Sequence, residues 1–224
     1  MRLTGAASWD LALRDGAAGS VRAVSAADAP QLQRFIRSLS PASRHLRFLM
    51  AMHELPADLL HRFTHPQPGY EIVLVAMLGT SDTIIGMTQY VLDDDGAGCE
   101  FAIVVGDAWQ RQGVGERLLR LLMRTAASQG VRYGRADVLA ENLAMRSLAA
   151  KLGCEIRTNS TAPYLVELRK QFEAQDSLLP SEQRVPDARQ VGRAVDPGTP
   201  AVGQPTRPIE LNASRTDCRF SRRC

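Results

Sequence analysis

The chain has 224 residues, with 27 Lys plus Arg against 24 Asp plus Glu, so its formal charge is +3. At about 150 residues per domain, that length holds one good-sized domain and a remainder, and 45% apolar residues can build a core, which excludes wholesale disorder. So small a net charge supplies no basic field for gripping nucleic acid non-specifically.

Residues 1–19 read as an N-terminal extension, without the long apolar core of a signal peptide. Val21–Val24 is a short strand. Asp28 then caps a helix entered through Ala29-Pro30, with Leu32, Phe35, Ile36 and Leu39 on one face. Ser40-Pro41 breaks it, and a second helical stretch carries Leu46, Leu49, Met50 and, past Pro56, Leu59, Leu60 and Phe63. Ile72–Leu78 and Thr83–Leu92 are strands joined by the turn Gly79-Thr80-Ser81-Asp82. After the turn Asp93-Asp94-Asp95-Gly96 comes a third long strand, Glu100–Val105. The next helix puts Val114, Leu118, Leu119, Leu122 and Ala126 inward and Arg117, Arg120 and Arg124 outward, and ends at Gly130. A strand Ala136–Leu139, a helix Asn142–Leu152 stopped by Gly153, and a strand Tyr164–Leu168 follow. Paired strands mixed with crossover helices predict an α+β, or mixed α/β, sheet.

Beyond residue 172 the composition changes. Six of the twelve prolines lie there, and single apolar residues recur without period, so residues 173–224 read as a Pro-rich tail that cannot bury enough surface to offset its ordering entropy. The longest apolar run, Ile72–Leu78, is far short of the roughly 20 residues of a membrane helix. Cys99, Cys154, Cys218 and Cys224 form no C-x-x-C pair, which argues against a zinc ribbon or a disulfide scaffold. The expectation is a reduced, soluble, cytoplasmic protein with no metal.

The chemistry concentrates in Val104-Val105-Gly106-Asp107-Ala108-Trp109-Gln110-Arg111-Gln112-Gly113-Val114-Gly115, a strand end that opens directly into an amphipathic helix. First-turn amides lack intrahelical partners, and the positive end of the helix dipole lies there. Gly113 and Gly115 remove side chains that would hold a phosphate away, which makes an anion cradle. It is neither a Walker loop, because Glu116-Arg117 stand where Lys and Ser or Thr are needed, nor a dinucleotide fingerprint, because it has two glycines and comes late.

The pattern Gln110-x-x-Gly113-x-Gly115 resembles the signature of the GNAT superfamily of acyl-CoA-dependent N-acetyltransferases. The strands Glu100–Val105 and Ala136–Leu139, and Lys151-Leu152-Gly153-Cys154, agree with that family in order and kind over roughly residues 20–170, within a domain read as residues 20–172. The resemblance implies a mixed, mostly antiparallel sheet flanked by helices, with splayed central strands and acetyl-CoA between them. It implies pantetheine pairing at Val104 and Val105, and pyrophosphate on the amides of Arg111, Gln112, Gly113, Val114, Gly115 and Glu116. Asn142 matches the family's cofactor-contacting Asn; it is equally a favoured helix cap.

Transfer to an amine needs a proton acceptor, since a free Lys amine has a pKa near about 10.4. Glu100 lies about 13–17 Å along the strand from Val104 and Val105, the reach of an extended pantetheine arm. It shares a face with Ala102 and Val104, and burial would raise its pKa towards use as a base; an exposed strand-edge carboxylate is the alternative. Cys99 faces away, so no covalent intermediate is expected. Many relatives carry a Tyr proton donor seven residues after the Asn, where this chain has Ala149; Tyr164 and Tyr133 are substitutes. Leu39-Ser40-Pro41-Ala42-Ser43-Arg44-His45-Leu46-Arg47-Phe48 resembles a stretch of bacterial protein lysine acetyltransferases, which implies a protein lysine acceptor; simple capping and packing is the other reading. A small-molecule amine acetyltransferase and a non-catalytic acyl-CoA sensor stay open as alternatives. His53-Glu54 and the pair His61 and His65 read as surface histidines.

Overall fold

The computed structural model describes residues 8–79, 81, 83–158 and 162–173. The expected turn residues Thr80 and Asp82, and the tail from residue 174 onward, lie outside the described residues. Its strands are β1 (Ser8–Ala12), β2 (Ala18–Ala23), β3 (Glu71–Leu78), β4 (Ile84–Leu92), β5 (Gly98–Val105), β6 (Tyr133–Leu139), β7 (Glu155–Thr158) and β8 (Leu165–Gln171). Its α-helices are α1 (Ala29–Ser38), α2 (Pro41–Phe48), α3 (Ala57–Thr64), α4 (Val114–Ser128) and α5 (Leu143–Lys151).

The strands pair into one sheet in the order β1-β2-β3-β4-β5-β6-β8-β7, and β5–β6 is the parallel contact in an otherwise antiparallel ladder. This is the mixed, mostly antiparallel α+β sheet that the sequence predicts. Two cores form because the strand period of two sends alternate side chains to opposite faces. Val114, Leu118, Leu119 and Leu122 of α4 and Met145 and Ala149 of α5 pack with Leu74, Ile85, Tyr90 and Phe101 on one face. Leu32, Phe35 and Ile36 of α1, Phe48 of α2 and Phe63 of α3 pack with Val73, Val75, Met87 and Val104 on the other.

The parallel contact is short. Gly98, Cys99 and Glu100 pair with Tyr133, Gly134 and Arg135, and beyond them the two strands separate. Alternation decides what the separated edge offers. The Gly98 carbonyl accepts from Asp93 and the Gly106 amide donates to Ile85, so even-numbered residues of β5 turn their main chain towards β4. Ile103 and Val105 therefore turn theirs into the gap.

Residues 1–19, read as an extension, contribute β1. The Ser8–Ala12 segment alternates exposed and buried, with Trp9 1% exposed, and pairs with β2 through a turn at Asp15 and Gly16, where Gly16 has φ +85 and Asp15 Oδ1 accepts the Ala17 amide at 3.0 Å. Five residues are too few for period two to stand out against chance in sequence. Trp9→Ala is expected to cost about 3–5 kcal/mol of stability, read as a lower urea midpoint; an unchanged midpoint would show that β1 is dispensable.

The single helical stretch expected across Leu46–Phe63 is two helices. Leu49 sits in the left-handed region, φ 57, and its amide closes α2 on the His45 carbonyl at 2.8 Å. Strand β7 was not expected because all four of its residues are exposed, leaving no apolar alternation to read.

Candidate active site

Between β5 and α4 the chain makes a short 3₁₀ turn, Asp107–Trp109, and then passes through two left-handed residues, Arg111 (φ 63) and Gly113 (φ 93). Gly113 is the helix N-cap and offers no side-chain cap; its carbonyl takes the Arg117 amide at 3.0 Å. The amides of Val114, Gly115 and Glu116 thus precede the first intrahelical bond and point out of the helix end.

The two glycines do different work. A Cβ on Gly113 would meet no protein atom within 4 Å, so within the protein this position needs glycine for its backbone angle, and the space in front of it is open to an incoming group. At Gly115 space is short: a Cβ would lie 3.3 Å from Leu148 Cδ2 and 3.6 Å from Val105 Cγ2. Glu116, whose charge would otherwise repel an anion, is occupied by Lys151 and Arg120. Hydrogen bonds from Lys151 first, and then Arg120, hold its carboxyl below the usual range.

A polar network ties this loop to α2. Asp107 accepts the Ser40 amide at 2.9 Å, the Ser40 hydroxyl at 2.7 Å and the Ser43 hydroxyl at 2.7 Å. Burial acts to raise the Asp107 pKa, but these hydrogen bonds outweigh it and hold the carboxyl low. Gln110 Nε2 donates to Ser43 Oγ at 3.1 Å and to the Val105 carbonyl at 3.2 Å. Ser40 also caps α2, accepting the Ser43 amide at 3.1 Å with Pro41 in the first turn. The capping reading of the Ser40–Phe48 motif therefore holds, and the same serines brace the loop.

The gap between β5 and β6 opens into a cleft of about 990 Å³. Of the residues singled out from sequence, Glu100, Val104, Val105, Gln110, Arg111, Gly113, Gly115, Glu116 and Asn142 line it. Gln112 and Val114 do not. The Gln112 carbonyl accepts the Arg14 amide at 3.3 Å, and the Val114 side chain is buried in the core, which leaves Val114 only its amide to offer. Val104 is among the residues that line the cleft, packs into the second core, and turns its main chain towards β4. Asn142 Oδ1 caps α5 by accepting the Met145 amide at 3.0 Å.

Glu100 shares its face with Ala102 and Val104, at the end where β5 and β6 still pair, and its side chain is 28% exposed. Burial raises its pKa; Arg135, with Nη1 3.7 Å from Oε2, and Arg47 oppose that rise, while Asp137 and Asp93 reinforce it. Arg135 is shared with Asp93, Nη2 to Oδ1 at 2.9 Å. Cys99 lies on the opposite face in the core, where burial pushes its thiol up to about 12, so it is no nucleophile.

Ala149 is fully buried in the core. Neither suggested substitute is on the cleft: Tyr133 donates its hydroxyl to Asp93 Oδ2 at 3.1 Å, and Tyr164 points to solvent. The tyrosine that does line it is Tyr70, just before β3. Asp93 and Asp94, which read in sequence as a turn, also line the cleft, as do Arg14, Arg62 and Gln89, which carry no local motif by which sequence could single them out. His61 and His65 stack with ring centroids 4.0 Å apart, and no cluster of three metal-ligating side chains occurs among the described residues.

The GNAT acetyltransferase family model matches residues 36–154, more than half of the chain, from the last turn of α1 to just past α5. The chain belongs to the GNAT acetyltransferase family. An acetyltransferase of Pseudomonas aeruginosa is 30% identical over 147 residues, covering 65% of this chain and 79% of its own length. The crystal structure of the GNAT domain of S. lividans PAT superposes with a TM-score of 0.69 at 29% identity, over 74% of this chain and 97% of that one. The cAMP-binding acyltransferase from Mycobacterium smegmatis shares the fold, with a TM-score of 0.54 at 22% identity, over 79% of this chain and 51% of that one. As a GNAT enzyme the chain is an acyl-CoA-dependent N-acetyltransferase that uses acetyl-CoA as co-substrate and an amine as acceptor. No helix among the described residues is long and apolar enough to cross a membrane.

Proposed function

We propose that the acceptor is a protein lysine and that Glu100 is the general base. The observation that carries this reading is the position of Glu100, a partly buried carboxylate on the cleft at the paired end of β5, with the bare amides of α4 at the opposite end. The cleft fits the co-substrate on its own terms. The amides of Arg111 through Glu116 receive the pyrophosphate, and the main chain of Ile103 and Val105 is turned to receive the amide-bearing arm; here Ile103 takes the part the resemblance gave to Val104. Asn142 keeps its Nδ2 for the same arm while its Oδ1 caps α5.

At the other end Glu100 takes a proton from the lysine ammonium, directly or through water, so that the nitrogen lone pair is free. The amine attacks the thioester carbonyl, a C–N bond forms and the C–S bond breaks; the attacking nitrogen sheds its surplus proton to solvent, and the departing thiolate takes one up. The Ser40–Phe48 motif supports a lysine acceptor, because α2 walls the cleft beside Glu100 through Leu46 and Arg47.

Acetyl-CoA and a lysine peptide are expected to give thiol release matched by acetyl-lysine. The acidic limb of the rate profile should lie above the ordinary carboxylate range, since the base works only when ionised and burial raises its pKa. Arg135→Gln should move that limb to still higher pH, because Arg135 favours the ionised carboxylate. A limb at the ordinary value, unmoved by the substitution, would exclude Glu100; acetyl transfer to no lysine peptide would exclude this acceptor class.

A further inference from the structure

The Glu100 end of the cleft holds two polar groups that the described protein does not satisfy. Arg47, on α2, is 8% exposed, and its Nε and Nη2 have no hydrogen-bond partner among the described residues. Gln89, on β4, is 4% exposed, and its Oε1 is likewise unpartnered there. Both line the cleft, and Gln89 stands opposite Ala102 in the β4–β5 register, one step along the same face from Val91 opposite Glu100.

Leaving a buried guanidinium edge without hydrogen bonds is expensive, and binding of a matched group would relieve that cost. The two unsatisfied nitrogens form one edge of the guanidinium, whose parallel N–H bonds match the two oxygens of a carboxylate. Phe48 and Phe63 hold the group, with Cζ 4.8 and 5.8 Å from their ring centroids. Neighbouring cations are already engaged: Arg62 pairs with Glu71 at 2.7 Å and Arg135 with Asp93. Burial lowers the Arg47 pKa to about 10, with Glu100 opposing, which leaves it charged at neutral pH.

We infer that Arg47 and Gln89 form a recognition subsite for an acceptor that carries a carboxylate close to its amine. Arg47 takes the carboxylate on its Nε–Nη2 edge, and Gln89 Oε1 accepts an N–H of the acceptor. The inference rests on the reading of this end of the cleft as the acceptor side. The carboxylate comes either from an acidic residue beside the target lysine or from a free amino acid, and two matched pairs of acceptors separate these sources.

The test compares kcat/KM for a Glu-Lys peptide against its Gln-Lys counterpart, and for a free amino acid against its carboxamide. The wild-type enzyme should prefer the carboxylate member of at least one pair by about tenfold or more, the range of a hydrogen bond to a charged group. Arg47→Lys keeps the charge and loses the edge, so it should abolish that preference through KM while coenzyme A binding holds. Gln89→Leu should raise acceptor KM, and it serves as the second probe if Arg47→Lys folds poorly. No preference in either pair would overturn the subsite while leaving the dependence on Glu100 intact. A loss of kcat equal for all acceptors, with a moved acidic limb, would also overturn it and make Arg47 a positioning residue for Glu100. Full activity of Glu100→Gln, by contrast, would remove the acceptor reading itself.

Discussion

Glu100→Gln is expected to lower kcat by about 10²- to 10⁴-fold, the usual contribution of a positioned general base, with coenzyme A affinity close to wild type. The amide keeps the size and hydrogen-bonding reach of the carboxylate but cannot hold the ammonium proton. Binding should survive because β5 runs five residues beyond Glu100, about 16 Å at strand spacing, before the chain turns into the cradle, which is built from α4 amides that Glu100 does not touch. The neighbours make the expectation specific. Burial lifts the pKa of Glu100, and Arg135 at 3.7 Å limits that lift, so the group gains basicity within a limit that its ion-pair neighbour sets. Steady-state thiol release and a coenzyme A titration on the same sample check both halves. Unchanged kcat would remove Glu100 from the mechanism.

What sequence could show here depended on the range of the signal. The β5–α4 junction was legible because its message is local: an apolar strand, a Gly-x-Gly turn and an amphipathic helix lie within one continuous stretch, and backbone amides need no distant partner. Glu100 was legible for the same reason, since strand alternation alone puts it on the face of Ala102 and Val104. Trp9 and Leu11 were not, because a five-residue strand carries too few periods, and its place in the sheet is set by pairing with β2. Arg47 appeared in sequence only as one letter of a motif. Its unsatisfied edge arises where α2 meets β4 and β5 in space, and Gln89, Tyr70 and Arg62 reach the cleft from separate elements in the same way. The turn glycine shows a finer limit. Position 113 reads in sequence as a place where bulk must be absent, and its φ of 93 in open space adds a demand on the backbone angle that the sequence does not display.

That distinction shapes the second large effect expected, the loss of coenzyme A binding in Gly113→Asp. Aspartate tolerates the left-handed region better than most residues, and a Cβ there meets no atom within 4 Å, so the fold should survive with a small drop in Tm. The new carboxylate stands at the N-cap of α4, where Asp is a favoured cap and the bare amides of the first turn are within its reach. It therefore competes with the diphosphate for the same donors and adds a negative charge beside it. Like charges brought together at a binding surface cost several kcal/mol, so affinity should fall by at least about a hundredfold. Gly113→Ala separates the causes: it carries at least as much backbone strain, about 1–3 kcal/mol, without the charge, and should lower Tm while losing far less affinity. Should the two variants weaken coenzyme A binding equally, geometry alone would account for the loss, and the α4 amides would not be the diphosphate site.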